Sequence, residues 1–414
     1  MGALALITAL AAQATAPAGA APTPSTMPSA DTNLGASTYL DLEGGAGYST
    51  NPLMRFGDHT ESAFARISAH AVHTRVTERT TTILSAFGQG VFYTDDQGAH
   101  GSADVSARHD ARVSEKLRLF GDLDFAYDQG GQLDTRIITV PDVPLPPGTV
   151  QPPVLLPQTG DLLSITDRHY RASGHIGAQF ALSAREYLNV SSGLEYEAFK
   201  SSGFDSHFTT IPVSLGYDRQ ISAQTTLGAR LSARHTEYSG PGSFTVFTPQ
   251  ATFQTMLTDR LSLNGAVGVS LASVDNGLFT RHTTGIAANA SLCWRGEHDS
   301  LCARGGVDQE AATTAGPARN YNVGVDYGRQ LDANQTIHLS VGANHYSTPV
   351  EILTDRSFRQ GTYFVAAADY SRRFSDRFFG GINGSARKLA QTGTDPKADI
   401  SGSLFIRYRL GDIR

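Results

Sequence analysis

Apolar and polar residues alternate along a stretch near the end of the chain, Asp399 to Leu410. Asp, Ser, Phe and Arg residues alternate there with small or apolar residues. The small or apolar positions are Ile400, Gly402, Leu404, Ile406, Tyr408 and Leu410. Successive side chains of a β-strand point to opposite faces, so this stretch predicts one apolar and one mostly polar face. A tilted strand of about 9–11 residues crosses a bilayer, and this stretch is long enough.

The same alternation recurs along the chain and favours strands over helices, since helices would place apolar residues at i, i+3, i+4 and i+7. It is seen in Leu117–Tyr127, Ala172–Leu182, Leu227–Ala233, Leu261–Leu271 and Ile337–Ala343. Two stretches fit less well: Thr80 to Tyr93 alternates poorly, and Pro249 interrupts the stretch before Leu257.

Short polar turns of similar composition separate pairs of these stretches at similar intervals, one of which is nearly double. They lie at 77–79, 114–116, 183–185, 222–224, 258–260, 297–299, 332–334 and 375–377. A fixed period indicates a repeated supersecondary unit, here a hairpin. The turns predict an all-β fold: a single transmembrane antiparallel up-and-down β-barrel of about 18 strands, with short periplasmic turns and longer external loops. A soluble β-solenoid or propeller is the alternative, which long strands with one apolar face disfavour.

Composition agrees with a barrel in the outer membrane of a Gram-negative cell. Only 17% of the residues are charged, yet no apolar run is long enough for a transmembrane helix. A net charge of −6 gives no basic surface for nucleic acid. The apolar run from Ala3 to Ala12 resembles a secretory signal peptide. We therefore expect a signal peptide, either whole or truncated at its start, at residues 1–21, a flexible leader at 22–35 and the barrel at 36–414.

If the apolar faces meet lipid, the alternate faces line the lumen. The candidate solute-contacting residues are Arg108, Arg112, Arg118, Arg230, Arg234, Arg304, Arg407, Arg409, Asp122, Asp124, Glu195 and Glu197. The arginines are suited to binding sugar carboxylates or phosphates through two hydrogen bonds. Pairing with acids on neighbouring strands is the alternative. Arg230 with Arg234, and Arg407 with Arg409, are favoured as ligand-binding pairs because each pair adds charge locally.

Catalytic and metal-binding motifs are not evident. The thirteen histidines form no H-E-x-x-H motif or tight ligand cluster, so neither a metal nor a cofactor is expected. An enzyme acting on lipid or surface polymer stays a minor alternative, because a catalytic triad assembles in space rather than in sequence. Several aromatic residues near strand ends are candidates for interfacial girdles: Tyr48, Tyr93, Tyr127, Tyr238, Tyr346, Trp294 and Phe374. The ordinary preference of aromatic residues for strands is the alternative.

The two cysteines of the chain are predicted to lie opposite each other. A two-residue turn at Glu297-His298 pairs Cys293 with Cys302, with both sulfurs directed into the lumen. Opposed cysteines of an exported protein can form a disulfide; two free thiols are the alternative.

The doubled interval, Gly131 to Ser164, is rich in proline and apolar residues, and is expected either to narrow the barrel mouth or to form a surface extension.

The stretch Tyr39-Leu40-Asp41-Leu42-Glu43-Gly44-Gly45-Ala46-Gly47-Tyr48-Ser49-Thr50-Asn51-Pro52 resembles the opening strand of the beta-barrel porin family found with bacterial exopolysaccharide operons. In that family such a strand runs into a short polar loop, and further hairpins follow. The resemblance implies an outer-membrane channel that passes or holds saccharides, with outer-membrane lipid, a saccharide and periplasmic export components as partners. A general diffusion porin for small solutes is the second interpretation.

Overall fold

The computed structural model describes residues 35–52, 61–94, 98–129, 168–201, 204–240, 242–275, 280–312, 316–347, 360–391 and 397–412. The expected signal peptide and most of the leader, like the proline-rich interval from Gly131 to Ser164, lie outside the described residues. Within them, the chain forms one 18-stranded sheet. The predicted fold class is confirmed.

The strands follow one another around the sheet, each antiparallel to its sequence neighbours, and β1 pairs with β18 to close the barrel. Their bounds are β1 Gly35–Ser49, β2 Ser62–Val76, β3 Thr80–Tyr93, β4 Ala99–Arg112, β5 Leu117–Gln129, β6 Arg168–Ser183, β7 Glu186–Ser201, β8 Phe204–Gln220, β9 Thr225–Tyr238, β10 Ser243–Thr258, β11 Leu261–Asp275, β12 Thr280–Arg295, β13 Asp299–Ala312, β14 Gly316–Asp332, β15 Gln335–Ser347, β16 Gln360–Arg373, β17 Phe378–Gln391 and β18 Asp399–Gly411.

All eight short turns lie at one end of the barrel, here called the short-turn end, where β1 begins and β18 ends. Hydroxyl side chains stabilise several of these turns. Thr77, for example, accepts a backbone N–H from Thr80 through Oγ1 at 2.9 Å. The connections at the opposite end, here called the long-loop end, are only partly among the described residues. The turn positions agree with those expected from the sequence.

The alternation along β18 has the predicted orientation. Leu404 and Ile406 are 63% and 56% exposed and belong to an apolar outer surface, whereas Ser403 and Phe405 are buried on the lumen side. Residues paired across a ladder share a face, so this orientation can be followed strand by strand around the barrel. Exposed apolar side chains lie on the outer surface of strands all around the barrel, as at Ile67, Leu123, Ile176, Val267, Ile286 and Val341.

The two stretches that fit the strand pattern poorly are nevertheless strands. Thr80–Tyr93 is β3, held by ladders to β2 and β4. Strand β10 continues through Pro249, which pairs with Leu231 of β9, while the ladder to β11 skips Thr248 and Pro249. Proline has no N–H to donate, so the strand loses pairing on one side only.

Candidate functional site

The lumen face carries every arginine and acid expected there. Register places Arg108 opposite Asp122, Arg304 opposite Gly324, Arg230 opposite Gly216 and Arg234 opposite Pro212 on the inner face, together with the other candidates. The candidates differ in whether an oppositely charged side chain of the protein already forms an ion pair with them.

Arg407 and Arg409, favoured above as a ligand-binding pair, are neutralised across the β1–β18 closure. Arg407 Nη2 lies 2.8 Å from Glu43 Oε2, and Arg409 Nε lies 2.7 Å from Asp41 Oδ1. The Arg409 guanidinium also lies over the Tyr39 ring, 4.4 Å from its centroid. These two arginines therefore do not create a local excess of positive charge.

Other arginines are paired in the same way, as the alternative interpretation expects. Arg118 lies 2.6 Å from Asp110, and Arg304 pairs with Asp326. Further pairs join Arg66 to Glu43, Arg171 to Asp124 and Arg387 to Asp399. Cross-strand pairing thus accounts for much of the lumen's charge.

The candidate acids Asp122, Asp124, Glu195 and Glu197 belong to one buried network on β5, β6 and β7. His175 lies between two of them, with Nδ1 3.0 Å from Asp122 Oδ2 and Nε2 3.0 Å from Glu195 Oε1. Arg171 Nε donates to Asp124 Oδ1 at 2.9 Å. The network uses its carboxylates internally, and sequence reasoning missed its histidine although register places His175 directly opposite Asp122.

Glu197 is fully buried and completes this network toward the long-loop end. His169 Nε2 lies 3.6 Å from Glu197 Oε2. The His169 ring stacks on Phe199, with centroids 4.3 Å apart and planes 12° from parallel. The acids of this wall thus stand beside an aromatic surface.

Arg108, Arg112 and Arg230 are held less closely. Arg112 is exposed and lies directly opposite Arg118, so like charges meet at the short-turn end. Arg230 lies near Asp218, and Arg234 near Asp308, with opposite charges. Arg230 and Arg234 are therefore each balanced by an acid, as Arg407 and Arg409 are.

The lumen near the long-loop end is packed with apolar side chains. Phe199 and Phe208 contact Ala318, and Tyr238 packs against this cluster. Tyr238 also packs against a second cluster, whose members are Phe244, Val246, Ala272 and Val274. Because Ala318 lies on β14, far around the sheet from β7 and β8, the first cluster bridges the lumen.

This apolar packing corrects part of the expected aromatic girdles. Tyr48 and Trp294 lie on the outer face and are exposed. Tyr93, Tyr238 and Tyr346 instead point into the lumen, where Tyr93 meets the His100 ring edge to face. Nearness to a strand end does not fix the face; the parity of the residue along the strand does.

Cys293 and Cys302 form a disulfide in the structure. They face each other in the β12–β13 ladder, flanked by the pair Trp294 and Leu301 on the outer face. The bridge therefore lies near the short-turn end of these two strands.

None of the described residues forms a helix that is long and apolar enough to cross a membrane.

Within the same part of the chain, no group of three or more His, Cys, Asp or Glu side chains is arranged to hold a metal ion.

No protein-family model matches the chain, and no curated protein matches it. Among solved structures, it is similar to OccK2 (OpdF) of Pseudomonas aeruginosa, with 11% identity, 92% of this chain and 98% of that chain covered, and a TM-score of 0.43. OpdQ of the same organism is 10% identical, with 91% of this chain and 98% of that chain covered and a TM-score of 0.41. The FrpB iron transporter of Neisseria meningitidis (F5-1 variant) is 9% identical, with 90% of this chain and 82% of that chain covered and a TM-score of 0.44. Likenesses this low extend none of those proteins' activities to this chain.

Proposed function

We propose that the chain is an outer-membrane channel for small hydrophilic solutes, saccharides among them, without catalytic activity. The observation that carries the proposal is the division of faces: a closed barrel with an apolar outer surface and a lumen lined by charged and hydroxylated side chains. Closure satisfies the backbone polar groups, which hydrocarbon would otherwise leave without partners. Eighteen strands enclose enough space for an aqueous path.

The charge of the lumen supports a polar, rather than an apolar, cargo. Acids and arginines occur on most of the lumen wall, largely as pairs, and hydroxyl pairs such as Ser191 with Ser214 and Ser385 with Ser401 lie between them. Such a surface exchanges hydrogen bonds with a hydroxylated solute at little cost. The resemblance of the opening strand to the exopolysaccharide-associated porins supports saccharides as the cargo and surface-polysaccharide export as the setting.

A general diffusion porin is the second candidate, favoured by the near balance of acids and arginines in the lumen. Planar-bilayer recording of the purified barrel separates the two. A saccharide channel shows ion current that falls and saturates as neutral sugar is added, while a general porin responds only in proportion to solution viscosity. A folded barrel that gives no current in salt, compared with protein-free bilayers, would contradict both candidates.

A further inference from the structure

Within the strands that the structure describes, the barrel wall separates between β12 and β13. Among the described residues their ladder ends at Ala288 opposite Val307. Strand β12 nevertheless continues to Thr280 in its ladder with β11, and β13 continues to Ala312 in its ladder with β14. Residues 308–312 of β13 and 316–320 of β14 therefore stay paired to each other but are no longer paired to β12. We call these residues the hairpin end.

The hairpin end lies on the lumen side of the wall. Adjacent strands are about 4.8 Å apart, so strands with two or three others between them should be well separated. Cα atoms of β14 nevertheless come within 8 Å of Cα atoms of β10 and β11. Ala318 reaches Phe199 and Phe208 on β7 and β8. Only a displacement into the lumen brings β14 to those strands.

The side chains of Gln309 and Arg319 show the same displacement. By alternation with Val307 and Tyr321 they belong to the outer face of β13 and β14. They instead meet the lumen face of β12: a Cβ built on Gly285 would lie 2.9 Å from Gln309 Nε2 and 3.1 Å from Arg319 Nη2. The outer face of the hairpin end thus covers the inner face of β12, and Gly285 leaves room for it.

The sequence explains where the hairpin leaves the wall. The outer-face residues Val307, Tyr321 and Val323 are apolar or aromatic and suit the lipid boundary. The next outer-face pair is Gln309 with Arg319, which hydrocarbon would penalise strongly. Moving inward gives this pair a polar environment.

That environment contains several buried polar atoms without a protein partner. Gln309 is 1% exposed, yet neither its amide oxygen nor its amide nitrogen has one. Ser270 Oγ, which the same Gly285 Cβ would approach to 3.1 Å, Thr283 Oγ1 and Arg319 Nε also lack one. A buried polar atom left without a hydrogen bond is costly, so a cluster of them indicates a place for a polar ligand.

We propose that the hairpin end and the lumen face of β11 and β12 form a binding site for a hydroxylated monocarboxylate, such as a sugar acid. The site rests on the proposed function and names its solute class. Arg319 supplies a guanidinium for the carboxylate, while Gln309, Ser270 and Thr283 supply an amide and hydroxyls for sugar hydroxyls. Asp308, next to Gln309 and hydrogen-bonded to its backbone N–H at 2.8 Å, disfavours a more highly charged anion.

Ligand-observed NMR titration of the detergent-solubilised barrel tests the site without requiring conduction. The probes are D-glucuronate and, as its uncharged counterpart, D-glucose. We expect saturable binding of glucuronate that is stronger than binding of glucose. Arg319→Ala and Gln309→Ala should each weaken glucuronate binding about tenfold, in line with the loss of a hydrogen bond to a charged or buried group.

Arg329→Ala is the matched control, since Arg329 lies on the same strand but is exposed near the short-turn end. It should bind glucuronate like the wild type, and heat-modifiable gel mobility should show that every variant is folded. Absence of saturable binding by the wild type, or equal binding by all variants, would overturn the site. A barrel that binds glucuronate but carries no current would overturn the channel function and leave the site standing.

Discussion

The wall of this barrel is completed in two different ways at β1–β18 and at β12–β13. The β1–β18 ladder runs from Tyr39 opposite Gly411 to Ser49 opposite Ser401, with ion pairs on its lumen side. The β12–β13 ladder is bridged by a disulfide near the short-turn end and stops halfway. The first contact closes the barrel between β1 and β18, and the second releases a hairpin into the lumen.

The outer-face residues of a strand determine whether it stays in the barrel wall. Strand β18 presents Ile400, Leu404 and Ile406 outward along its length. The hairpin end presents Gln309 and Arg319 at the corresponding face. Apolar side chains gain by facing lipid, whereas polar ones gain by turning inward. The backbone ladder between two strands therefore continues where their outer-face side chains are apolar and ends where they are polar.

The largest expected effect is next to the closed contact, where Arg387 of β17 and Asp399 of β18 form a buried pair and Asp399 also accepts hydrogen bonds from Ser49 Oγ and the Asn51 N–H. Arg387 Nη2 lies 2.7 Å from Asp399 Oδ2, and both side chains are almost completely buried. Asp399→Ala leaves the guanidinium buried without its carboxylate and should lower the free energy of unfolding by about 3–5 kcal/mol. Urea titration of the barrel refolded into detergent measures the loss.

Asp299→Ala is the control for this variant, because Asp299 is only partly buried and its partner Arg329, at 3.5 Å, is exposed. Exposed pairs contribute about 0–1 kcal/mol, so this variant should stay close to the wild type. Similar losses in the two variants would mean that the position of β18 in the wall does not depend on the buried Asp399 carboxylate.

The next effect concerns the apolar face that holds β18 in the wall. Leu404→Arg places a cation in the lipid-facing surface and should cost about 2–4 kcal/mol near the bilayer midplane. Asn289→Arg is the comparison, since Asn289 lies on the lumen face of β12 and is exposed. Ser403, next to Leu404, also faces the lumen but is only 8% exposed, so an arginine would not fit there. Equal denaturant midpoints for Leu404→Arg and Asn289→Arg would contradict the assignment of faces.

A smaller effect is expected from the disulfide at the partial contact. Cys293 and Cys302 are nine positions apart, and closing so short a loop contributes about 2–3 kcal/mol in the chain-entropy description. Cys293→Ala with Cys302→Ala should lose that amount, and wild-type protein from its native membrane should resist alkylation until it is reduced. Ready alkylation of both thiols without reduction would show that the bridge does not form.

Much of the architecture could be predicted from the sequence because lipid imposes a strict alternation. The eight turns, the strand number and the faces of Arg108, Arg304 and Arg407 all follow from a period of two. The same period gives the Cys293–Cys302 register once a two-residue turn is assumed.

The partners of the lumen side chains could not be predicted in the same way. Whether Arg409 meets Asp41 depends on the closure of β1 on β18, a contact between the two ends of the chain that no local pattern encodes. The hairpin end was missed for a related reason. Gln309 and Arg319 break the apolar outer pattern, and this signal is visible in the sequence. Its consequence depends on their packing against Gly285 and on the contact of Ala318 with Phe199 and Phe208.

Measuring the single-channel conductance tests directly whether the hairpin end lies inside the lumen and narrows it. The variant replaces residues 309–319 by a two-residue Asn-Gly turn, which suits an antiparallel hairpin. If the hairpin end occupies the lumen, the shortened barrel should conduct clearly more current per channel than the wild type in the same salt, with Arg329→Ala unchanged. An unchanged conductance in a shortened barrel that is shown to be folded would contradict the account.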